Sequence, residues 1–191
     1  MNVIQLINEV ITEYIHNPSN ELIQYLNQHN IDFDDLTSLG SGDFGEAYST
    51  GDGRVLKETR SQSEFNLATE IKNSDNPIYK DAFAEIYDTI NINGDMYILQ
   101  EELEEDSKIE DLFNELQELL ESEGLPLQYV HNLDTDEYDV NDELLKFIGE
   151  IEEINRAYRN LGIEASDIRP ENLGRDKHGN VKAFDIDDKT Q

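Results

Sequence analysis

The stretch Asp167-Ile168-Arg169-Pro170-Glu171-Asn172, followed by Val181-Lys182-Ala183-Phe184-Asp185, decides the reading of this chain. Asn172 stands five residues after Asp167, and Asp185 thirteen after Asn172. Between the two runs His178-Gly179-Asn180 signals a tight turn, so Val181, Ala183 and Asp185 read as the second strand of a hairpin. At that spacing one carboxylate, Asp167, can orient a hydroxyl while the Asn172 amide and the Asp185 carboxylate hold Mg2+.

Upstream lies Leu39-Gly40-Ser41-Gly42-Asp43-Phe44-Gly45-Glu46-Ala47-Tyr48, a G-x-G-x-x-G pattern with an aromatic before its third glycine. Glycines let backbone N–H groups approach phosphates closely and tolerate positive φ at a turn. By itself the pattern equally describes a glycine-rich hairpin. The dinucleotide-binding version needs a buried strand before it and a helix after it, and neither pattern is present. Arg54-Val55-Leu56-Lys57 then places a lysine twelve residues past Gly45, on a strand that can reach phosphates under the loop. The plainer reading of Lys57 is a solvated surface lysine.

Working outward, Val3, Ile4, Ile7, Val10, Ile11, Tyr14 and Ile15 share one helical face. Asn17-Pro18 reads as a cap followed by proline at the first helical position, and Leu22, Ile23 and Leu26 continue a second short helix. Residues 1–35 are therefore expected to form a helical extension. From Leu36 the glycines at 40, 42, 45, 51 and 53 separate short apolar runs, which predicts hairpins. Ser63 is expected to cap a short helix through Phe65, Leu67 and Ile71. Strands at Phe83–Tyr87 and Met96–Leu99 flank the turn signal Asn93-Gly94. Ser107 is expected to cap a helix with Ile109, Leu112, Phe113, Leu116, Leu119 and Leu120 on its face, ended by Gly124 and Pro126. Leu144, Leu145, Ile148, Ile151, Ile154, Tyr158 and Leu161 line another, ended by Gly162. Strands dominate the first half and helices the second. That predicts an α+β chain in two lobes, residues 36–103 and 104–191, with a hinge at Glu101–Leu103.

Composition bounds the partners. The 191 residues carry 44 acidic and 14 basic side chains, a net charge of −30, with 37% apolar residues and long periodic apolar segments. A surface this acidic disfavours direct binding to nucleic acid or anionic membrane, and leaves a basic partner or mimicry of a nucleic acid open. The absence of cysteine excludes disulfides, thiolate metal sites and cysteine nucleophiles. The N-terminus lacks a basic region and is interrupted by acids, so no signal peptide or membrane span is expected, and the cytoplasm is the expected compartment. His16, His29, His131 and His178 show no metal-ligand spacing, and Asp134, Asp136 and Asp139 lack the glycine of a calcium loop. Glu101-Glu102-Leu103-Glu104-Glu105-Asp106 reads as a hydrated acidic rim.

The glycine-rich loop, the strand lysine, the D-I-R-P-E-N run and the aspartate closing a hairpin occur in the order found in the protein-kinase-like superfamily. The chain resembles that superfamily over about residues 36–188. Its likeness is to minimal phage- and bacterium-type members with a truncated C-lobe. The resemblance implies a bilobal fold with an antiparallel β-sheet N-lobe and a reduced, mainly helical C-lobe. It also implies ATP and Mg2+. Gly40, Ser41, Gly42, Phe44 and Gly45 would cover the triphosphate, and Lys57 would bind its α- and β-phosphates. Glu70 would pair with Lys57, with Glu64 as the rival. Gln100 takes the position before the hinge, and the Glu101–Leu103 backbone would meet adenine. Asp167 would be the base, Arg169 replaces the usual lysine of the catalytic loop, and Asn172 and Asp185 would hold the metal.

The departures are as informative. The usual H-R-D reads Ala165-Ser166-Asp167, and D-F-G reads Asp185-Ile186-Asp187. With six residues after Asp185, an activation loop and a helical platform for a peptide substrate are expected to be absent. The implied function is Mg2+-ATP-dependent phosphotransfer to an unnamed hydroxyl acceptor. The alternative is an inactive pseudokinase serving as an acidic binding or inhibitor module for a basic protein. Transfer of a nucleotide in place of phosphate is a third, minor reading. The acidic balance does not veto an ATP site, because screening over ~10 Å removes remote charges while Lys57, Arg169, loop amides and Mg2+ act at contact range.

Overall fold

The structure is a computed structural model and describes residues 18–42, 45–163 and 168–186. Helix α1, Asn20–Gln28, begins at Ser19, whose hydroxyl accepts the Leu22 N–H at 3.1 Å. That places the cap after Pro18, two residues later than the cap expected at Asn17, which lies outside the described residues along with the helix expected before it. Leu22, Tyr25 and Leu26 are buried on α1 and pack with Ile31 against Leu56, Ile92, Tyr97 and Leu99. The expected extension is therefore, from residue 19 on, a cover for one face of a sheet.

That sheet is antiparallel, five-stranded and ordered β1-β2-β3-β5-β4, with β1 Thr37–Gly42, β2 Gly45–Ser49, β3 Arg54–Thr59, β4 Ile86–Ile92 and β5 Asp95–Glu101. Asn93 and Gly94 both have positive φ, 56° and 109°, as the two-residue turn joining β4 to β5 requires. The strand expected from Phe83 enters the ladder only at Ile86. Phe83 and Ala84 are buried and instead meet Ala183, through a bridge and an Ala84 N–H to Ala183 carbonyl bond of 2.9 Å. Alternation along β3 sends Leu56 to the α1 face and Val55, Lys57 and Thr59 to the other. The register sets Val55 opposite Gln100, and Lys57 opposite both Ala47 and Ile98.

Helix α2, Gln62–Asn73, covers the second face. Its cap is Ser61, whose hydroxyl accepts the Glu64 N–H at 3.1 Å; the expected cap, Ser63, lies inside the first turn. Starting the helix at Ser61 puts Glu64, Leu67, Ala68 and Ile71 on its buried side, a spacing of i, i+3, i+4 and i+7. A short helix not foreseen in the sequence, α3 Pro77–Ala82, follows with Asn76 as cap and proline in its first turn.

Helices α4, Lys108–Ser122, and α5, Asp142–Asn160, and the hairpin of β6 Leu173–Arg175 with β7 Val181–Ala183 complete the described chain. Ser107 makes no capping bond; Asp106 takes that role, accepting the Lys108 N–H at 3.0 Å. One cluster of buried side chains runs from Ile71 of α2 and Ile98 of β5 through Phe83 to Leu116, Phe147, Ile151, Tyr158, Ala183 and Ile186. The sheet and the helices thus share a core. No helix among the described residues is long and apolar enough to cross a membrane.

Candidate functional site

A cavity of about 1170 Å3 opens between the second face of the sheet and the β6–β7 hairpin. Its roof is the β1–β2 hairpin, with Leu39, Gly40, Ser41, Gly42 and Gly45 lining it. Every residue of β1 is exposed, and Leu39 is 53% exposed, because among the described residues the strand pairs only with β2 and overhangs the opening. Gly45 (φ +158°) is required by close approach, since a Cβ there would run into the Glu58 carbonyl of β3. Phe44 lies outside the described residues.

Lys57 sits on β3 beneath this roof. Its ammonium bonds Asp185 Oδ1 at 2.8 Å and pairs with Glu64 Oε1. Glu64 Oε2 accepts the Thr59 hydroxyl at 2.6 Å, and Thr59 Oγ1 accepts the Ser61 N–H at 3.0 Å. The cap of α2 and the end of β3 are thereby locked to the site. The partner of Lys57 is Glu64; Glu70, expected there, is exposed, about 120° around α2 from Glu64. The reason is helical phase: six residues turn about 600°, so Glu70 cannot share the buried stripe that carries Glu64. Burial opposes the Lys57 charge, but the carboxylates of Glu64 and Asp185 outweigh it and hold the amine above its ordinary pKa. Burial likewise pushes the Glu64 carboxyl up, against the pull of Lys57.

The rear wall is β5 and the segment after it. Gln100 is buried, and its Nε2 donates to the Phe184 carbonyl at 3.3 Å. Glu101, Glu102 and Leu103 line the cavity as expected of a crossover between sheet and helices. Among the described residues the Leu103 N–H has no backbone partner. The acidic run is not simply a hydrated rim. Glu101 is half-buried and meets Lys182 at 3.1 Å, Glu102 accepts the Ser49 hydroxyl at 2.8 Å, and Asp106 accepts from Arg175 Nε at 2.5 Å. Glu104 and Arg175 exchange two backbone bonds of 2.9 Å, tying the crossover to the hairpin. Gly174 permits this contact, because a Cβ there would stand 2.7 Å from Leu103 Cβ.

The floor is the hairpin. Pairing of Leu173 with Ala183 brings the residues just outside it together, and the Phe184 N–H donates to the Asn172 carbonyl at 3.1 Å. Asn172 and Asp185 thus line the same end of the cavity, Asn172 buried and the Asp185 side chain 40% exposed. Their oxygens suit a hard cation that keeps several waters or takes phosphate oxygens as further ligands, as Mg2+ does. Among the described residues no three His, Cys, Asp or Glu side chains gather as a metal cluster. Arg169 is exposed, lies 3.2 Å from Glu171 and does not line the cavity. Asp167, the expected base, lies outside the described residues. What sequence reasoning missed is that Lys57 reaches two carboxylates at once, and that Leu173 and Gly174 form part of the cavity wall. No family model matches the chain, and no curated protein matches it.

Proposed function

We propose that the chain is an Mg2+-ATP-dependent phosphotransferase with a two-lobed, protein-kinase-like fold, acting on a hydroxyl acceptor. The observation that carries this reading is Lys57. It lies on a strand under a glycine-rich hairpin and joins Glu64 of the sheet's helix to Asp185 of the distant hairpin. An ammonium held charged at the back of such a cavity can meet phosphate oxygens. In this reading the sheet with α2 is the N-lobe, α4, α5 and the hairpin belong to the C-lobe, and Glu101–Leu103 is the hinge. The amides of Gly40, Ser41, Gly42 and Gly45 would face the phosphates, and the Leu103 N–H would face the base. Asn172 and Asp185 would hold Mg2+, which supplies charge neutralisation at the phosphates when bound. Asp167 would orient the acceptor hydroxyl, and Arg169 would assist at the phosphates only by turning from Glu171.

A second reading is favoured by one observation. Glu102, Glu104, Glu105, Glu171 and Asp185 are among the residues lining the cavity, while Lys57 is the lysine there among the described residues. A basic protein segment would find that field attractive, which suits an inactive module of the same fold.

Thermal melting separates the two. Mg2+-ATP at one hundred times its Kd adds about 2.7 kcal/mol to a protein that binds it only when folded. For a chain of this size that raises Tm by roughly 5–10 °C. The shift should shrink in Lys57→Ala and in Asp185→Ala. No shift at millimolar Mg2+-ATP in the unsubstituted protein would overturn the nucleotide site and leave the binding module.

A further inference from the structure

Arg54 opens β3 opposite Glu101, the last residue of β5. Two residues before Leu56, it shares that side chain's face of the sheet, the one that α1 covers. Its guanidinium Nη2 donates to the carbonyl of His29, the C-cap of α1, at 3.0 Å. The last carbonyls of a helix have no partner within it, and a cation there also meets the negative end of the helix dipole. Asp52 aims the guanidinium: it accepts from Arg54 Nε at 3.0 Å and from Nη2 at 2.5 Å. Asp52 is aimed in turn by Thr50, which is buried and donates its hydroxyl to Asp52 Oδ1 at 2.6 Å. The Thr50 N–H donates to the Arg54 carbonyl at 3.0 Å, closing residues 50–53 into a turn between β2 and β3.

The same turn holds one wall of the cavity. The Gly53 carbonyl accepts the Glu102 N–H at 3.0 Å, and Ser49, just before the turn, donates its hydroxyl to Glu102 at 2.8 Å. Gly53 and Glu102 both line the cavity, and no residue of α1 does. Glu102 stands one residue past β5, so its place follows the turn to which it is bonded.

We infer that Arg54 is a positioning residue, through which the docking of α1 on its face of the sheet sets the place of the cavity wall at Glu102. With α1 seated, the His29 carbonyl holds the guanidinium, the guanidinium holds Asp52, and the turn presents its Gly53 carbonyl to Glu102. With α1 displaced, Arg54 exchanges that carbonyl for water and the turn gains freedom. The helix thus acts on the cavity without touching it. The inference goes beyond the nucleotide reading, because it holds for whatever the cavity binds.

Hydrogen exchange at the Glu102 amide, followed by NMR, is the readout. Arg54→Met should raise its rate about tenfold, as the loss of a hydrogen bond from a charged donor does. Arg54→Lys keeps a cation that can donate to the His29 carbonyl and should restore most of the protection. Leu22→Ala, or Leu22→Val if the larger change does not fold, loosens α1 on the sheet. It should raise the Glu102 rate alone and add nothing beside Arg54→Met, because the two act through one contact. Leu116→Ala, in the separate core that α4 and α5 share, lowers stability without touching α1 and should leave the rate as it was. Mg2+-ATP affinity, by calorimetry, should fall several-fold in Arg54→Met and recover in Arg54→Lys. An unchanged Glu102 rate in Arg54→Met, or an equal rise in Leu116→Ala, would overturn the role of Arg54. Failure of Mg2+-ATP to bind the unsubstituted protein would overturn the nucleotide reading, and the exchange rates would still decide the role of Arg54.

Discussion

Replacing Lys57 by methionine removes the ammonium and keeps most of the stem. The Glu64 side chain, 4% exposed, then keeps the Thr59 hydroxyl at 2.6 Å but loses its counter-charge. Removing one member of a buried ion pair costs about 3–5 kcal/mol. Two features of the site reduce that figure. Asp185, 40% exposed at its side chain, hydrates once Lys57 is gone. Glu64 can escape by taking up a proton, at about 1.4 kcal/mol per pH unit between solution and its pKa. Burial holds that pKa above the ordinary glutamate value even with Lys57 present, and without Lys57 it rises further. A loss of about 2–4 kcal/mol at pH 7.5 is expected. The sign of the pH dependence follows. A carboxyl raised in the folded state contributes most stability below its unfolded pKa and loses it as pH rises through the folded value. The deficit of Lys57→Met should therefore shrink between pH 7.5 and pH 5. Lys57→Met/Glu64→Gln should recover part of the loss, with a coupling of about 1–3 kcal/mol. Urea unfolding of the unsubstituted protein, Lys57→Met, Glu64→Gln and the double variant at both pH values measures all of this. A Lys57→Met loss below about 1 kcal/mol, or one equal at both pH values, would refute a buried Lys57–Glu64 pair.

Gly174→Ala places a methyl against Leu103 and should cost about 1–3 kcal/mol by overpacking, read by urea unfolding. It should also reduce the Mg2+-ATP melting shift, because Leu103 lines the cavity. Asp106→Asn tests the crossover's tie to the hairpin: the Arg175 hydrogen bond holds Asp106 below the ordinary aspartate value of 3.8. A depressed carboxylate stabilises above its unfolded pKa and loses that contribution as pH falls through the folded value. Unfolding should thus show a deficit of about 1 kcal/mol or less at pH 6 that disappears in acid below pH 3.8.

The α+β order, the strand bearing Lys57, the turn at Asn93-Gly94, helices α4 and α5 and the β6–β7 hairpin were all legible, because each rests on local periodicity or on turn residues with one physical role. The helix caps were less so. Ser61 and Ser63 are both serines ahead of an apolar run, and it is the phase of that run that decides which glutamate faces the sheet. The signal was available: Ser61-x-x-Glu64 has the spacing of a capping box, and Glu64, Leu67, Ala68 and Ile71 repeat as one stripe. Ser107 failed as a cap because it already has helical φ and ψ, which leaves Asp106, one residue earlier, to accept the first free amide, that of Lys108. The docking of α1 on the sheet, and the contact of Leu103 with Gly174, depend on tertiary packing that no local pattern encodes.

The central claim is transfer of the terminal phosphate from ATP. The direct measurement incubates the protein with Mg2+ and either γ-labelled or α-labelled ATP, alone and with a cell extract, beside Asp185→Ala and Asp167→Asn. The account predicts acceptor label from the γ-position only, lost in both variants, with Asp167→Asn still showing the Mg2+-ATP melting shift. Label from the α-position would make the reaction nucleotide transfer. Label from neither, with any acceptor, would contradict catalysis and leave the fold as an acidic binding module.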